Sequence, residues 1–157
     1  MQKHIITQDA QVGLFLEQNW LDLEKLAQIE LTSENASHPI ELALKPDEEM
    51  GWQASEPGPQ TIRLLFDKPL WIRHVRLVFD ENDQERTQEF VLRWSSNCGQ
   101  SYLEIVRQQY NFCPPYNVRE IEEYAVDLVG LTTLELSIVP DISRGHAFAT
   151  IAQLCLA

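Results

Sequence analysis

Aromatic and amide side chains come together in residues 111–117, NFCPPYN, directly after Tyr110. Planar rings and amide groups suit the binding of a sugar, because a ring face stacks on the sugar and an amide both donates and accepts hydrogen bonds. A structural interpretation is also open, in which Tyr110 and Phe112 close one end of the fold. The candidate ligand-binding residues of this tract are Tyr110, Asn111, Phe112, Tyr116 and Asn117.

A second candidate tract is ISRGHAF, residues 142–148. Arg144 and His146 offer directed donors for hydroxyl or carboxylate groups, and Phe148 offers a stacking face. The alternative is a glycine turn with solvated tips. Both tracts have the composition of loops, and loops carried by a rigid scaffold are common places for ligands. Together they predict a shallow site of polar and aromatic side chains.

Catalytic motifs are missing from the sequence. It has no HExxH, no GxSxG, no phosphate-binding glycine loop and no cluster of cysteines and histidines with metal-ligand spacing. The carboxylate pairs 48–49 and 122–123 are neighbours in sequence, and neighbours on a strand point to opposite faces, so neither makes a good acid/base pair. We therefore predict that the protein is not an enzyme and has no catalytic residues and no metal ligands.

The charge balance argues against nucleic acid as a partner. The chain has 24 acidic and 12 basic residues and a formal net charge of −12, and such an excess repels a phosphate backbone. No stretch approaches the roughly 20 apolar residues that span a bilayer, and the first residues do not resemble a secretory signal. Cys98, Cys113 and Cys155 are an odd number without a CxxC pair, which favours a reduced compartment and predicts a cytoplasmic location.

Short apolar–polar alternations separated by turns predict an all-β protein. In QTIRLLFD, for example, Ile62, Leu64 and Phe66 lie on one face by period two. Eight such runs, with alternating and fully apolar stretches, predict two packed antiparallel sheets. The predicted strands are residues 26–33, 60–67, 72–79, 89–94, 102–108, 122–128, 131–139 and 148–156.

Helix is expected only as short turns. Residues 38–44 begin with a proline near the first turn, and Ser37 is a candidate cap. Residues 20–26 predict a second turn or an irregular cover. Residues 45–59 have three prolines and two glycines, which predict a loop. We predict one domain over residues 1–157, with residues 1–25 as an amino-terminal cover segment.

Two polar tracts predict hairpin turns. In RWSSNCGQSYLEIV, residues 93–106, Asn97 and Gly99 suit the turn, and Tyr102 would hold its exit against the sandwich. Residues 83–89, DQERTQE, predict a second tip, where Arg86 would pair with the adjoining acidic residues and contribute modestly to stability.

Several motifs follow one another in an order that is typical of a known family. They are GWQA at 51–54, QTIRL at 60–64, a strand ending in WS at 94–95 with a glycine turn and Tyr102, and GHAFATIAQL at 145–154. In this order they resemble the discoidin, or coagulation-factor C-type, module of the galactose-binding-domain-like superfamily. The resemblance runs from about residue 26 to the end of the chain and implies a jelly-roll β-sandwich with Trp52 buried.

The resemblance implies a binding module rather than one particular ligand, because this scaffold binds sugars, lipid head groups and proteins through different loops. The first hypothesis is a carbohydrate-binding module that uses the loops at 110–117 and 144–148. The second is a protein-interaction module inside the cell, which the unpaired cysteines favour. Fold alone does not choose between a carbohydrate partner and a protein partner.

Many modules of this family hold calcium with an acidic loop residue and a glutamate in the last strand. Here residues 47–49 supply the acidic loop, but the last-strand position is Gln153. An amide is a neutral oxygen donor and weakens a site that relies on carboxylates. We therefore expect no cofactor, with calcium as a disfavoured alternative.

Overall fold

The computed structural model describes residues 19–46, 50–143 and 145–157. Within these ranges the chain forms eight strands, one α-helical turn, α1 (Leu23–Leu26), and one 3-10 turn, η1 (Ile40–Leu42). The prediction of an all-β protein with short helical turns is confirmed. The strands are β1 (Ala27–Leu31), β2 (Trp52–Pro57), β3 (Gln60–Asp80), β4 (Arg86–Ser95), β5 (Leu103–Phe112), β6 (Arg119–Val139), β7 (Phe148–Ile151) and β8 (Gln153–Leu156).

The strands form two antiparallel sheets. The larger sheet has the order β1-β3-β6-β4-β5 with β8 also paired to β3, and the smaller sheet is β2-β7. β3 and β6 each have 21 residues, and their mutual register shifts between Leu65 and Leu70 and again near Ile72. Such irregularities bend strands. The first half of β3 pairs with β1 and the second half with β8, so one long strand has different neighbours on either side of its bend.

This bend corrects two predicted breaks. Residues 60–67 and 72–79 are the two halves of β3, and residues 122–128 and 131–139 are the two halves of β6. Pro69 lies between the ladder positions Leu65 and Leu70, so its missing N–H costs no ladder hydrogen bond. In β6 the bend includes Gly130, whose φ is +78°, a value that glycine adopts without strain.

The predicted loop at 45–59 is also corrected, because residues 52–57 form β2. The glycines and prolines around it predict a loop, and the strand has only six residues, in which Trp52 and Ala54 point inward. β2 pairs with β7. The predicted strand 148–156 divides at Ala152, whose N–H donates to the carbonyl of Val78 at 2.7 Å, and this division sends β7 and β8 to different sheets.

The predicted cap of the 3-10 turn is corrected as well. The residue before η1 is Pro39, and no side chain caps the turn from that position. The N–H of Ile40 instead donates to Oε1 of Glu34 at 2.6 Å. Ser37 does not act as the cap; its own N–H donates to Oδ1 of Asn35 at 2.9 Å.

The core lies between the layers and follows the predicted period of two. Trp52 is 1% exposed, as predicted. The rings of Phe79 and Phe90 stack with centroids 5.2 Å apart. Trp94 is half-buried and packs against the core cluster. The inward side chains of β3 are Ile62, Leu64, Phe66, Ile72, Val75, Leu77 and Phe79.

The β4–β5 hairpin confirms the predicted role of Asn97. Its Oδ1 accepts the N–H of Ser101 at 3.0 Å and the hydroxyl of Ser95 at 2.7 Å. Gly99 has a φ of +83°, a value that suits glycine in a tight turn. Thr132 ties the turn to β6, because its Oγ1 accepts the N–H of Cys98 at 2.9 Å and donates to the carbonyl of Ser95 at 3.0 Å.

All three cysteines are free thiols: Cys98 is exposed, Cys113 is half-buried and Cys155 is buried. The cytoplasmic location inferred from them stays a prediction. In the part of the chain that the structure describes, no helix is both long enough and apolar enough to cross a membrane.

Candidate functional site

Three loops leave the sandwich at one end. They are the β3–β4 loop (81–85), the β5–β6 loop (113–118) and the β6–β7 loop (140–147). Their strands end together, since Asp80 pairs with Arg119 and Arg86 pairs with Phe112. The described residues of both predicted tracts therefore lie at this end, which we call the loop end.

The two aromatic residues at the end of β5 have structural roles. The hydroxyl of Tyr110 donates to the carbonyl of Arg119 at 3.0 Å, and its ring meets Phe112 edge-on at 4.9 Å. Phe112 is fully buried, with the guanidinium of Arg86 at 4.6 Å from its ring centre. The ring of Phe112 packs in the core, as the structural interpretation expected, and a role for Phe112 in a ligand site stays a prediction.

The remaining predicted residues of this tract are at the surface. Tyr116 is 85% exposed. The side chain of Asn111 accepts a hydrogen bond from the hydroxyl of Thr87 at 2.8 Å. Asn117 is exposed, and its backbone bridges to Cys113 across the cis peptide bond between Pro114 and Pro115. The structure does not bring the ring of Tyr116 together with a second exposed aromatic residue among those predicted.

The residues of the second predicted tract, 142–148, have different surroundings. Arg144 lies outside the described residues, so its position stays a prediction. His146 is exposed. Phe148 is 40% exposed and begins β7, opposite Pro57 of β2. Of the predicted residues, Phe148 is the one that lines the cleft of about 450 Å³ described below.

A cleft of about 510 Å³ lies where β4 begins and β5 ends, and we call it the β5 cleft. It is lined by residues 85–87, 111–113, Asp141 and Ser143. The hydroxyl and N–H of Ser143 donate to Oδ1 of Asp141 at 2.7 and 3.0 Å, and these hydrogen bonds lower the pKa of Asp141. Asn111 and Asp141 already have partners, whereas Nη2 of Arg86, another lining residue, is buried and has no hydrogen-bond partner among the described residues.

A second cleft, of about 450 Å³, we call the Trp52 pocket. Its lining comes from four parts of the chain, namely His38, residues 50–53, residues 80–84 and residues 148–152. Pairing of β2 with β7 places Trp52 opposite Ile151 and Gln53 opposite Thr150. The N–H of Gln53 donates to the carbonyl of His38 at 3.1 Å, and the hydroxyl of Thr150 donates to the carbonyl of Asp80 at 3.2 Å.

Two of the residues that line the Trp52 pocket have side-chain nitrogens with unused hydrogen-bonding capacity. Nε1 of Trp52 and Nδ1 of His38 are buried and have no hydrogen-bond partner among the described residues. A buried polar group without a partner costs free energy, typically about 1–3 kcal/mol. A ligand oxygen that accepted a hydrogen bond from the indole N–H would remove that cost.

The rim of the Trp52 pocket consists of carboxylates and amides from the β3–β4 loop. Burial opposes ionisation of Glu81, but hydrogen bonds from Arg86 and from the N–H of Asp83 outweigh it and lower the pKa of Glu81. Nε of Arg86 donates to Oε1 of Glu81 at 2.7 Å. The side chain of Arg86 is itself wholly buried, so the predicted ion pair exists but is not a surface contact. It joins Glu81, which lines the Trp52 pocket, to Arg86, which lines the β5 cleft.

Gln88, which accepts a hydrogen bond from Arg86, connects this ion pair to a buried acidic cluster. Glu120 is 1% exposed, and its Oε1 accepts from Nε2 of Gln88 at 3.2 Å. Burial, together with the neighbouring Glu122, raises the pKa of Glu120 to about 8. The hydroxyl of Tyr124 donates to Glu122 at 2.7 Å. Neither glutamate lines the β5 cleft or the Trp52 pocket, so the cluster is not placed to act on a ligand there.

Sequence reasoning considered Glu122 only with its neighbour Glu123, and those side chains do diverge. The carboxyl group with the perturbed pKa is that of Glu120, which lies on the same face as Glu122, since residues two apart on a strand share a face. The lining residues Asp80, Gln84 and His38 were also missed as site residues. The signal available for them was the run ENDQ at 81–84, whose acids and amides suit hydroxyl recognition.

The residues around Gln153 do not fit a calcium site. Its Oε1 accepts from Nε of Arg76 at 3.2 Å, and its Nε2 donates to the carbonyl of Pro46 at 3.1 Å. A guanidinium occupies the side where a cation would bind, and the amide already holds the loop. In the described ranges no group of three or more His, Cys, Asp or Glu side chains could hold a metal ion. The acidic residues 47–49 lie outside those ranges.

The chain is similar in structure to carbohydrate-binding modules. The CBM32-5 module of CpGH89 from Clostridium perfringens, solved with GalNAc-β-1,3-galactose, matches with a TM-score of 0.62 and 16% identity over 88% of this chain and 99% of that one. The family 32 module of C. perfringens NanJ, solved with galactose, matches with a TM-score of 0.58 and 14% identity over 87% and 96%. A pectin-binding module matches with a TM-score of 0.60 and 13% identity over 83% and 89%.

No protein-family model and no curated protein sequence matches the chain. At identities this low, structural similarity establishes the fold and leaves the ligand to be argued from the site. The chain therefore has the discoidin-type, galactose-binding-like jelly-roll fold that its sequence motifs predict.

Proposed function

We propose that this protein is a non-catalytic carbohydrate-binding module that holds a saccharide in the Trp52 pocket. One observation carries the proposal: a half-exposed aromatic ring, several carboxylate and amide groups and a buried indole N–H without a partner line the same cleft. Phe148 belongs to the tract that the sequence predicted for ligand binding. The structural neighbours solved with sugars support the same ligand class.

The chemistry of the pocket suits a polyhydroxylated ring. Carboxylate oxygens of Asp80 and Asp83 accept hydrogen bonds from hydroxyl groups, and the amide of Gln53 both accepts and donates. Phe148 presents a face on which the apolar side of a pyranose can stack. An open cleft of this size with few anchors supports weak binding, on the order of 1 mM, or about −4 kcal/mol.

Calorimetric titration with a panel of neutral mono- and disaccharides tests the proposal. We expect at least one saturable ligand, with affinity about tenfold weaker for Phe148→Ala, since losing a stacked aromatic contact costs about 1.4 kcal/mol. Tyr116→Ala is the matched control, because it removes an aromatic ring that is 85% exposed at the β5–β6 loop. Loss of binding in Tyr116→Ala with Phe148→Ala unchanged would move the site to the β5–β6 loop. No saturable sugar at millimolar concentration would refute carbohydrate binding.

A protein-interaction role is the second candidate, and one surface favours it. Trp71 is 57% exposed, and its cross-strand neighbour Val129 is 62% exposed. The guanidinium of Arg73 lies 3.7 Å from the Trp71 ring centre, and Nε1 of Trp71 donates to Asp127 at 2.6 Å. Tryptophan and arginine are the residues that most often dominate protein interfaces. A partner retained by the wild type and lost with Trp71→Ala, but not with Phe148→Ala, would support this role.

A further inference from the structure

The Trp52 pocket has an uneven charge. Asp80, Glu81 and Asp83 line it, whereas none of the described lining residues is Lys or Arg. The whole chain has a net charge of −12, so the protein as a whole does not offset this local excess. A ligand in this cleft therefore meets negative charge beside the aromatic ring of Phe148.

The three carboxylates differ in how fully they are neutralised. Nε and Nη2 of Arg119 donate to the two carboxylate oxygens of Asp80 at 2.7 and 3.1 Å. Glu81 has the buried Arg86 as its partner, at 2.7 Å. Asp83 is exposed, and no lysine or arginine within the described ranges pairs with its carboxylate. The unneutralised charge of the pocket is therefore concentrated at Asp83.

This difference has a consequence for the ligand class. A carboxylate accepts hydrogen bonds from hydroxyl groups but gains more from a charged donor, because charge-assisted hydrogen bonds are about twice as strong as neutral ones. A ligand carboxylate at the same place is repelled and finds no lysine or arginine among the described lining residues. Phe148 adds a ring face that attracts an ammonium group. The charge and the ring thus favour the same kind of substituent.

We propose that the Trp52 pocket selects sugars with a free ammonium group, such as 2-amino-2-deoxyhexoses, over neutral sugars and rejects uronic acids. This inference rests on the proposed function, since it assigns a sugar class to the same site. Asp83 is the specificity residue and Phe148 is the stacking platform. The expected preference for the amino sugar over its neutral counterpart is about fivefold, the range of an exposed ion pair.

Binding of galactosamine, galactose and galacturonic acid, and of the matching glucose series, tests the proposal by nuclear magnetic resonance titration at about pH 6, between the ordinary pKa values of carboxyl groups and of amines. We expect the order amino sugar, neutral sugar, acid. Asp83→Asn is expected to remove the preference for the amino sugar and leave neutral binding unchanged. Glu85→Gln is the matched control, because it removes one exposed charge that belongs to the β5 cleft.

The outcomes separate the two proposals. Equal binding of amino and neutral sugars would overturn the inference and leave the carbohydrate-binding function intact. If Glu85→Gln loses the preference as fully as Asp83→Asn, the preference comes from the overall charge, and the inference is overturned. The same conclusion follows if ethanolamine binds as tightly as the amino sugar. No binding of any sugar in either series would overturn both proposals.

Discussion

Replacing Glu120 by glutamine should remove a large part of the pH dependence of stability. Glu120 is buried among Gln88, Glu122 and the neighbouring aromatic residues of the core. Its pKa is raised from the ordinary 4.5 to about 8, first by burial and then by the hydrogen bond and charge of Glu122. Protonated Glu120 can donate a hydrogen bond to Glu122, whereas an ionised Glu120 would be repelled by it, so the folded state favours the neutral form of Glu120.

The sign and size follow from linkage. In the window between about pH 4.5 and 8 the folded state binds more protons than the unfolded chain, so stability falls as pH rises. Each pKa unit corresponds to about 1.4 kcal/mol, so raising the pKa from 4.5 to about 8 corresponds to at most about 5 kcal/mol. Stability from this group is fully present below about pH 4.5 and is lost by about pH 8.

Glu120→Gln keeps the acceptor for Gln88 and adds an N–H₂ that can donate to Glu122. We expect the variant to match the wild type at about pH 5 and to exceed its free energy of unfolding by at least about 2 kcal/mol at about pH 8. Urea denaturation followed by tryptophan fluorescence between these pH values measures the difference. Glu56→Gln is the control, since it removes the same charge from an exposed position. If Glu120→Gln and Glu56→Gln keep equal pH slopes, the reasoning about the buried pair is wrong.

Two further variant pairs test the scaffold. Arg86→Ala should destabilise the fold by about 3–5 kcal/mol, because it leaves Glu81 without its buried partner, whereas the exposed Arg107→Ala should cost at most about 1 kcal/mol; similar losses in urea denaturation would contradict this. Gly51→Ala should be far more damaging than Gly58→Ala in thermal unfolding. Both glycines have positive φ, but a Cβ at Gly51 would lie 2.4 Å from the carbonyl oxygen of Ile151, while a Cβ at Gly58 meets nothing within 4 Å. Equal melting temperatures would refute that distinction.

The sheet pattern was predictable because alternation along a strand directly reports burial. Ile62, Leu64 and Phe66 needed only their period of two, and Asn97 with Gly99 needed only the demands of a tight turn. The predicted strand ends at 68–71 and 129–130 were wrong, because proline and glycine also occur where a long strand bends without losing a ladder hydrogen bond. β2 was missed since six residues between two glycines give too little periodicity to read.

The site was harder to predict than the fold. The lining of the Trp52 pocket comes from residues near 38, 52, 82 and 150, which meet only through the pairing of β2 with β7 and the end of β3. A single sequence does not give that register. Phe148 was proposed because an aromatic residue after a glycine turn is a local signal, and its role in binding stays a prediction. Phe112 was left open between a ligand site and a structural role, because its direction depends on the pairing opposite Arg86.

The indole N–H resonances give the most direct test of carbohydrate binding in the Trp52 pocket. The chain has four tryptophans, and Nε1 of Trp52 is the pocket donor without a partner among the described residues, whereas Nε1 of Trp71 already donates to Asp127. On titration with a binding sugar in a ¹H–¹⁵N correlation spectrum, we predict a saturable shift of the Trp52 indole signal with the Trp71 signal unchanged. A saturable sugar that leaves the Trp52 signal in place would contradict the site.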